Sequence, residues 1–258
     1  MSITIDNIKF VARVGQGPMA NRFTEKLCGY ATLDSDDVAV LTDATTRSRK
    51  FAAKHDLIRE GDRPGPVLVM LEGWACRYKV LPSGTRQVLA FLMPGDACDL
   101  HIGLLAEMDH SIQTITPARV ATIERVQMDT LMDEHRSIAR AMYIAQLIDE
   151  GTMRAWITSM GRRTSSERVA HLMCELYLRA RNIGLTDETT LSLPISQVLL
   201  ADALGMTNVH INRVLKELRL AGAMELRRGS LDIVDPGMLV RIAGFDEGYL
   251  HRKIRVPK

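Results

Sequence analysis

Two amides, an arginine and a lysine stand on one side of the segment NVHINRVLKELR, which begins at residue 208. Arginine can bind guanine through two hydrogen bonds, asparagine can bind adenine in the same way, and lysine reaches phosphate oxygens. Val209 is suited to contact with a thymine methyl group. If the segment is an exposed helix, Asn208, Val209, Asn212 and Arg213 are candidate base-reading residues and Lys216 is a candidate backbone contact.

The same segment has a second, apolar side. Four residues follow the i, i+3, i+4, i+7 spacing of a helix that packs on a core: Ile211, Val214, Leu215 and Leu218. The alternative is an ordinary solvated helix whose polar side has no partner. The preceding residues favour the first interpretation.

Residues 193–207 carry the start and stop signals of a shorter helix. Ser196 is a candidate N-cap, the run QVLLADAL follows, and Gly205 suits the left-handed conformation that ends a helix. Thr207 can then cap a second helix over residues 208–221 after a very short turn. This pattern predicts a helix-turn-helix in which Ser196, Thr207 and His210 lie near the DNA backbone.

A hairpin is predicted next, over AMELRRGSLDIVD, with RRGS at its turn. Leu226, Leu231 and Ile233 point inward in this arrangement. Arg227 and Arg228 then lie beside the predicted recognition helix, where they would hold the sugar–phosphate backbone. The alternative is a solvated loop.

The first half of the chain has a different pattern. From Pro66 to about Ile123, short β-prone runs such as PVLVMLEG and RQVLAFLM alternate with turn signals. Gly84 and Gly95 supply positive φ angles in PSG and PGD. This spacing predicts a sandwich or a jelly roll. The expected fold class is therefore α+β: an N-terminal β jelly roll, a long dimerisation helix and a C-terminal winged helix-turn-helix, over residues 1–130, 131–160 and 161–258.

After Asp129 the apolar period becomes helical, and two apolar stripes run along the predicted helix. The first is narrow and made largely of small residues: Ile138, Ala141, Ala145, Ile148, Thr152 and Ala155. We predict that this stripe meets its symmetry mate in a homodimer. The second stripe, which includes Met142, Met153 and Trp156, is expected to pack on its own barrel. The alternative is a helix buried entirely within one chain.

Charge and composition restrict the class of protein. Residues 161–258 carry 15 basic and 11 acidic side chains, whereas residues 1–160 carry 18 and 20, so the C-terminal part is mildly basic. This favours a polyanionic partner for that part. No apolar run reaches the roughly 18 to 20 residues of a membrane helix. The opening MSITIDNIKF lacks the pattern of a signal peptide, so we expect a cytoplasmic protein with no membrane partner.

The order of these elements resembles the Crp/Fnr family of bacterial transcription regulators. The resemblance runs from about residue 30 to 235 and is most specific in RTSSERVAHLMCELYL and ISQVLLADALGMTNVHINRVLKELR. It implies a homodimer on a two-fold symmetric DNA site, a barrel that senses an effector or redox state, and RNA polymerase as a further partner. Members that resemble the Fnr branch commonly have Glu and Ser where this chain has Val209 and Asn212, but Arg213 is retained. The usual half-site therefore cannot be transferred.

The barrel departs further from the family. Its cyclic-AMP binders carry Gly-Glu early in a phosphate-binding cassette and Arg-Ser or Arg-Thr about ten residues later. In GDACDLHIGLLAEMDHSIQT those positions hold Asp99 and Leu100, then His110 and Ser111. Without the arginine and the glutamate, a cyclic nucleotide loses its charge partner and its ribose partner. We therefore predict no cofactor: neither cyclic AMP nor, with Cys28 alone near the N-terminus, an iron–sulfur cluster.

Other hypotheses for the protein start from its reactive side chains. His55, His101 and His110 are candidate haem or metal ligands, and Cys174 is a candidate redox switch, although its apolar neighbours favour an inert thiol. A ligand-binding jelly-roll sensor that does not act on DNA is a second hypothesis. A jelly-roll metalloenzyme is a third, but the barrel lacks an HxH pair. Both leave residues 192–234 unexplained, and no nucleophile and base are spaced for catalysis, so we do not expect an enzyme.

Overall fold

The computed structural model describes residues 21–100, 104–186 and 189–251. Within them the chain forms two compact units, residues 21–150 and residues 151–251. The first unit holds the strands predicted for the jelly roll, and the second holds the helix-turn-helix.

The first unit is built from two antiparallel four-stranded sheets, in the orders β1-β8-β3-β6 and β2-β7-β4-β5. Two strands, β1 and β2, precede the region in which the sequence pattern predicted strands. The strands are β1 Ser48–Phe51, β2 Asp56–Ile58, β3 Val67–Glu72, β4 Ala75–Val80, β5 Arg86–Leu92, β6 Ala97–Cys98, β7 Ser111–Thr114 and β8 Ala118–Ile123. This arrangement confirms the predicted β jelly roll.

The side chains of β3 alternate between two cores, because successive residues of a strand point to opposite faces. Val67, Val69 and Leu71 belong to a cluster with residues of the helices α1 Arg22–Cys28 and α2 Ser35–Ala44. Met70 belongs to a second cluster with residues of the other sheet, among them Ile112. Helices therefore cover the outer face of one sheet, and its inner face packs on the other.

The helical region after β8 begins earlier than predicted and is interrupted. Helix α3 spans Arg125–Glu134, and α4 spans Arg136–Arg162. His135, between them, has non-helical angles of φ −114° and ψ 88°. Its Nδ1 lies 3.0 Å from Oδ1 of Asp37, whose other oxygen accepts a hydrogen bond from Ser137. A buried carboxylate on α2 thus anchors the break between α3 and α4.

The predicted dimer stripe lies on the inward side of α4. Ile138 and Ala141 have no exposed surface and belong to the core beneath the helices of the first unit. Ala145 lines a cleft of the same unit with Phe23. The remaining members are largely covered as well: Ile148, Thr152 and Ala155. The assignment of this stripe to a partner chain is therefore wrong for Ile138 and Ala141. The stripe lies on the side of the helix that the same chain buries.

The second unit surrounds helix α5, Ser165–Asn182, whose residues 169–178 are all buried. Its further elements are β9 Thr190–Ser192, α6 Gln197–Leu204, α7 Asn208–Leu220, β10 Met224–Arg227, β11 Ser230–Ile233, α8 Pro236–Ala243 and a 3₁₀ turn, Glu247–Leu250. The predicted hairpin is β10 and β11. The three-residue strand β9 extends it to a sheet of order β10-β11-β9, which the sequence pattern did not predict.

Candidate nucleic-acid interface and effector region

Helices α6 and α7 begin and end at the residues that the sequence indicated. Ser196 Oγ accepts a hydrogen bond from the backbone N–H of Leu199 at 3.2 Å, and Thr207 Oγ1 accepts one from His210 at the same distance. Gly205 ends α6 in the left-handed region, at φ 63° and ψ 42°. Both hydroxyls are on exposed residues, and each keeps its own O–H for a phosphate oxygen. His210 is half-buried.

Helix α7 has the two sides that its sequence predicts. The apolar side is buried by its own unit: Ile211, Val214, Leu215 and Leu218. On the other side Val209 is 81% exposed, although an isolated valine gains nothing from exposure to water. The flanking polar residues are exposed as well: Asn208, Asn212, Arg213 and Lys216. The packing therefore presents one continuous mixed surface to the solvent.

Two of the base-reading candidates already have contacts within the protein. Asn212 Nδ2 donates to the backbone oxygen of Asn208 at 3.0 Å. Arg213 Nε lies 3.7 Å from Oε1 of Glu217, one turn further along, and Glu217 Oε2 accepts from Ser166 Oγ at 3.1 Å. Glu217 was not among the predicted site residues. Its i, i+4 spacing from Arg213 is the signal that identifies it.

The β10–β11 turn has the backbone of a two-residue hairpin. Arg228 has φ 49° and Gly229 has φ 81°, and two successive positive φ angles are the requirement of a type I′ turn. Arg227 pairs with Ser230 across the hairpin, and its Nε lies 2.6 Å from Oε1 of Glu225. The turn thus exposes Arg228, whereas the Arg227 guanidinium is already paired with a carboxylate.

In the barrel, two of the four predicted effector residues meet. His110 Nε2 lies 2.8 Å from Oδ2 of Asp99, and its Nδ1 lies 2.7 Å from Oδ1 of Asp109. Arg77 Nη2 donates to the other oxygen of Asp99 at 2.7 Å. Burial lowers the pKa of His110, but its bonds to Asp99 and Asp109 outweigh this and raise it. Burial raises the pKa of Asp99, but His110 and Arg77 hold it below its usual value.

The other two effector residues lie elsewhere. Ser111 Oγ accepts from the backbone N–H of Glu60, and Leu100 packs against the core beneath the helices. Asp99 and Leu100 also line a cleft beside α1 and α4 with a volume of about 20 Å³, room for about one water molecule. That cleft is far too small for a nucleotide.

Of the reactive side chains, Cys174 is buried, and burial raises the pKa of its thiol to about 12. Such a thiol is a poor nucleophile at neutral pH, which supports the interpretation of Cys174 as an inert thiol. His55 stacks obliquely on Phe51, and His101 lies outside the described residues. Among the residues that the structure describes, no three His, Cys, Asp or Glu side chains are grouped so that they could hold a metal ion.

Comparison with known proteins matches both the barrel and the helix-turn-helix region to known domains. Residues 48–135 match the cyclic nucleotide-binding domain, and residues 167–242 match the Crp-like helix-turn-helix domain. The chain belongs to the Crp/Fnr family.

Its relatives within the Crp/Fnr family include named regulators. The nitrogen fixation regulation protein FixK of Bradyrhizobium diazoefficiens is 27% identical over 216 residues, 83% of this chain and 90% of that protein. The transcriptional activator protein FnrL of Cereibacter sphaeroides is 23% identical over 240 residues, 91% and 93% of the two chains. The FixK2 structure from Bradyrhizobium japonicum superposes with a TM-score of 0.67 at 22% identity, over 76% of this chain and 96% of that one, and shows the shared fold. This Crp/Fnr chain is a DNA-binding transcription regulator.

The Crp-like match ends at residue 242, and an ordered segment follows it. Tyr249 donates its hydroxyl hydrogen to Glu175, which also accepts from Trp156 Nε1 at 3.0 Å and from Arg179 at 3.4 Å. The rings of Phe245 and Tyr249 contact that of His171, and burial lowers the pKa of His171 to about 4. Sequence reasoning did not identify this network. Its one signal is the acidic Glu175 within the apolar run HLMCELYL.

No described helix in the chain is both long and apolar enough to span a membrane.

Proposed function

We propose that the protein acts as a homodimer that binds a two-fold symmetric DNA site and regulates transcription in the cytoplasm together with RNA polymerase. The observation that carries the proposal is the exposed surface of α7, in which Val209 stands among Asn208, Asn212 and Arg213. A mixed surface of amides, a guanidinium and an apolar side chain suits the edges of bases in the major groove.

In this proposal some residues contact base edges and others contact the phosphate backbone. Arg213 binds guanine, Asn208 and Asn212 bind base edges such as adenine, and Val209 contacts a thymine methyl group. Lys216 and Arg228 bind phosphates, as do the exposed caps Ser196 and Thr207 and, at the edge of the surface, His210. Arg227 joins them when DNA phosphate replaces Glu225 as its partner.

The dimer interface is the exposed side of α4. Successive helical residues are rotated by about 100°, so this side is opposite the buried stripe that contains Ile138 and Ala141. It carries large apolar side chains that are 45% to 67% exposed: Tyr143, Leu147, Met153 and Ile157. An apolar row along a helix is costly in water and is stabilised by packing against the same row of a second copy. Two such chains would place two α7 helices in successive major grooves about 34 Å apart.

The barrel, in the same proposal, takes neither cyclic AMP nor an iron–sulfur cluster, and no residue has a catalytic role. For cyclic AMP, the reason lies at the cassette, where His110 is held between Asp99 and Asp109. An imidazole whose two nitrogens both contact carboxylates has no free donor for a cyclic phosphate.

Selection from randomised double-stranded DNA, followed by sedimentation of the protein with the selected site, tests the proposed function. We expect an inverted repeat whose half-sites are centred about 10 base pairs apart, bound by two chains. Binding by a single chain, or no enrichment of any sequence over random DNA, would contradict it.

A further inference from the structure

Two buried nitrogen-rich side chains in the barrel converge on one carboxylate. Arg77 Nη2 lies 2.7 Å from Oδ1 of Asp99, and His110 Nε2 lies 2.8 Å from Oδ2. The side chains of Arg77 and His110 are only 12% and 9% exposed. Each oxygen of this carboxylate therefore has its own buried donor, which is the arrangement of a bound oxyanion.

Asp99 does not accept hydrogen bonds from all the donors of Arg77 and His110. Arg77 Nε is buried and has no hydrogen-bond partner among the residues that the structure describes. A guanidinium presents its donors as a planar fork that matches the two oxygens of a carboxylate or phosphate, yet Asp99 receives the bond from one nitrogen, Nη2. A larger oxyanion has oxygens left for the remaining donor.

The backbone of Asp99 is in a conformation that an aspartate adopts at a cost. Its φ is +54°, in the left-handed region that glycine occupies freely and that other L-residues occupy rarely. The contacts to Arg77 and His110 offset this cost. Glycine at position 99 would fit the backbone and remove the carboxylate together.

We propose that Arg77 and His110 form an oxyanion-binding site whose ligand in this chain is the carboxylate of Asp99. The tethered carboxylate is present at a high effective concentration, so it excludes small external oxyanions such as phosphate. The barrel is thereby held in a permanently liganded form, and removal of the Asp99 side chain converts it into a phosphate receptor. Because Asp99 also lines the adjoining cleft, its removal opens the site toward that cleft.

Inorganic phosphate is the probe in the test, titrated by calorimetry into the full-length wild-type protein and Asp99→Gly at neutral pH, with sodium chloride at equal ionic strength as the reference. We expect Asp99→Gly to bind one phosphate at least about tenfold more tightly than the wild type. The double variant Asp99→Gly/Arg77→Gln should lose that binding. Asp109→Asn, which removes the exposed carboxylate on the other ring nitrogen of His110, should bind no more phosphate than the wild type.

Thermal unfolding covers the case in which Asp99→Gly is too unstable for calorimetry. A ligand that binds only the folded state raises Tm, so phosphate should raise the Tm of Asp99→Gly, or restore its folding, more than it does for Asp109→Asn. Equal phosphate effects on the wild type and Asp99→Gly, or phosphate binding that survives Arg77→Gln, overturn the proposal. The readout is phosphate on the protein, so the result does not depend on DNA binding.

Discussion

The hydroxyl oxygen of Tyr249 lies 3.0 Å from Oε2 of Glu175, which is 74 residues earlier and has no exposed surface. The bond ties the segment after the helix-turn-helix to the centre of α5. Trp156, on the last turns of α4, donates to the same oxygen. One buried carboxylate therefore joins α4, α5 and the C-terminal turn of the second unit.

Removal of this bond should destabilise the second unit. Tyr249→Phe leaves the ring in place but deprives a buried carboxylate of a donor, so we expect a loss of about 1 to 3 kcal/mol in the free energy of unfolding. Urea denaturation measures it. Thr130→Val, which removes an exposed hydroxyl bonded only within α3, is the control and should change stability by less than about 0.5 kcal/mol. Equal effects of the two substitutions would show that the Glu175 bond contributes little.

Replacement of two α4 glycines by alanine should change the melting temperature in opposite directions. A Cβ at Gly151 would lie 2.6 Å from the backbone oxygen of Tyr249, whereas one at Gly161 would meet nothing within 4 Å. Alanine favours a helix by roughly 1 kcal/mol over glycine, so Gly161→Ala should raise the melting temperature. Gly151→Ala should lower it, because a backbone atom must move. A rise for both variants would contradict the close approach of Tyr249 to α4.

Charge on the exposed side of α4 should dissociate the dimer. Leu147 and Ile157 are 50% and 67% exposed, so Leu147→Glu/Ile157→Glu should leave the monomer fold intact but place four like charges in the proposed interface. We expect a monomer by sedimentation equilibrium, with circular dichroism like that of the wild type. Val80→Glu/Leu81→Glu, at two comparably exposed residues at the end of β4, is the control and should remain dimeric.

The two classes of DNA contact should separate by salt and sequence. Arg213→Ala should cost about 1 to 3 kcal/mol of specific binding and relax discrimination at one base pair. Arg228→Ala should weaken binding to specific and random DNA alike. It should also reduce the slope of log K against log salt by the amount expected for the loss of about one phosphate contact. Arg219→Ala, on another side of α7, is the control. If Arg213→Ala and Arg228→Ala both weakened all sequences equally, the assigned roles would be wrong.

The ion pair of His110 should make stability depend on pH in a defined direction. Its folded pKa is raised, chiefly by Asp99 acting against burial, so the protonated ring stabilises the fold fully below its unfolded pKa of about 6.5. This contribution is lost as the pH rises through the folded pKa. The stability difference between the wild type and His110→Asn should therefore be larger at pH 6 than at about pH 9. In an Asp99→Asn background most of that dependence should disappear, and its persistence would assign the effect to other groups.

Local sequence patterns predicted the DNA-binding helices almost to the residue. Ser196, Gly205 and Thr207 act through contacts with residues at most a few positions away, so the chain reveals them without a fold. The turn at Arg228 and Gly229 is of the same kind. The break at His135 is different, because it is anchored by Asp37, 98 residues earlier. No local pattern contains that contact.

The side of α4 that faces the core shows the same limit. Two apolar stripes with helical spacing are present in the sequence, and periodicity alone does not say which of them the protomer buries. The core around Phe23, Leu27 and Leu41 selects the side with Ile138 and Ala141, and Leu147 is left exposed. Met142 packs inward as expected, but Met153 is 45% exposed.

The sequence by itself determined the family, the order of the domains and the exposed surface of α7, because caps, turns and apolar periods act over a few residues. The tertiary structure alone decided which side of α4 is exposed, where Asp99 contacts Arg77 and His110, and how Tyr249 reaches Glu175. Those contacts join residues 11 to 74 positions apart. They depend on how sheets and helices pack, and packing is a property of the whole chain.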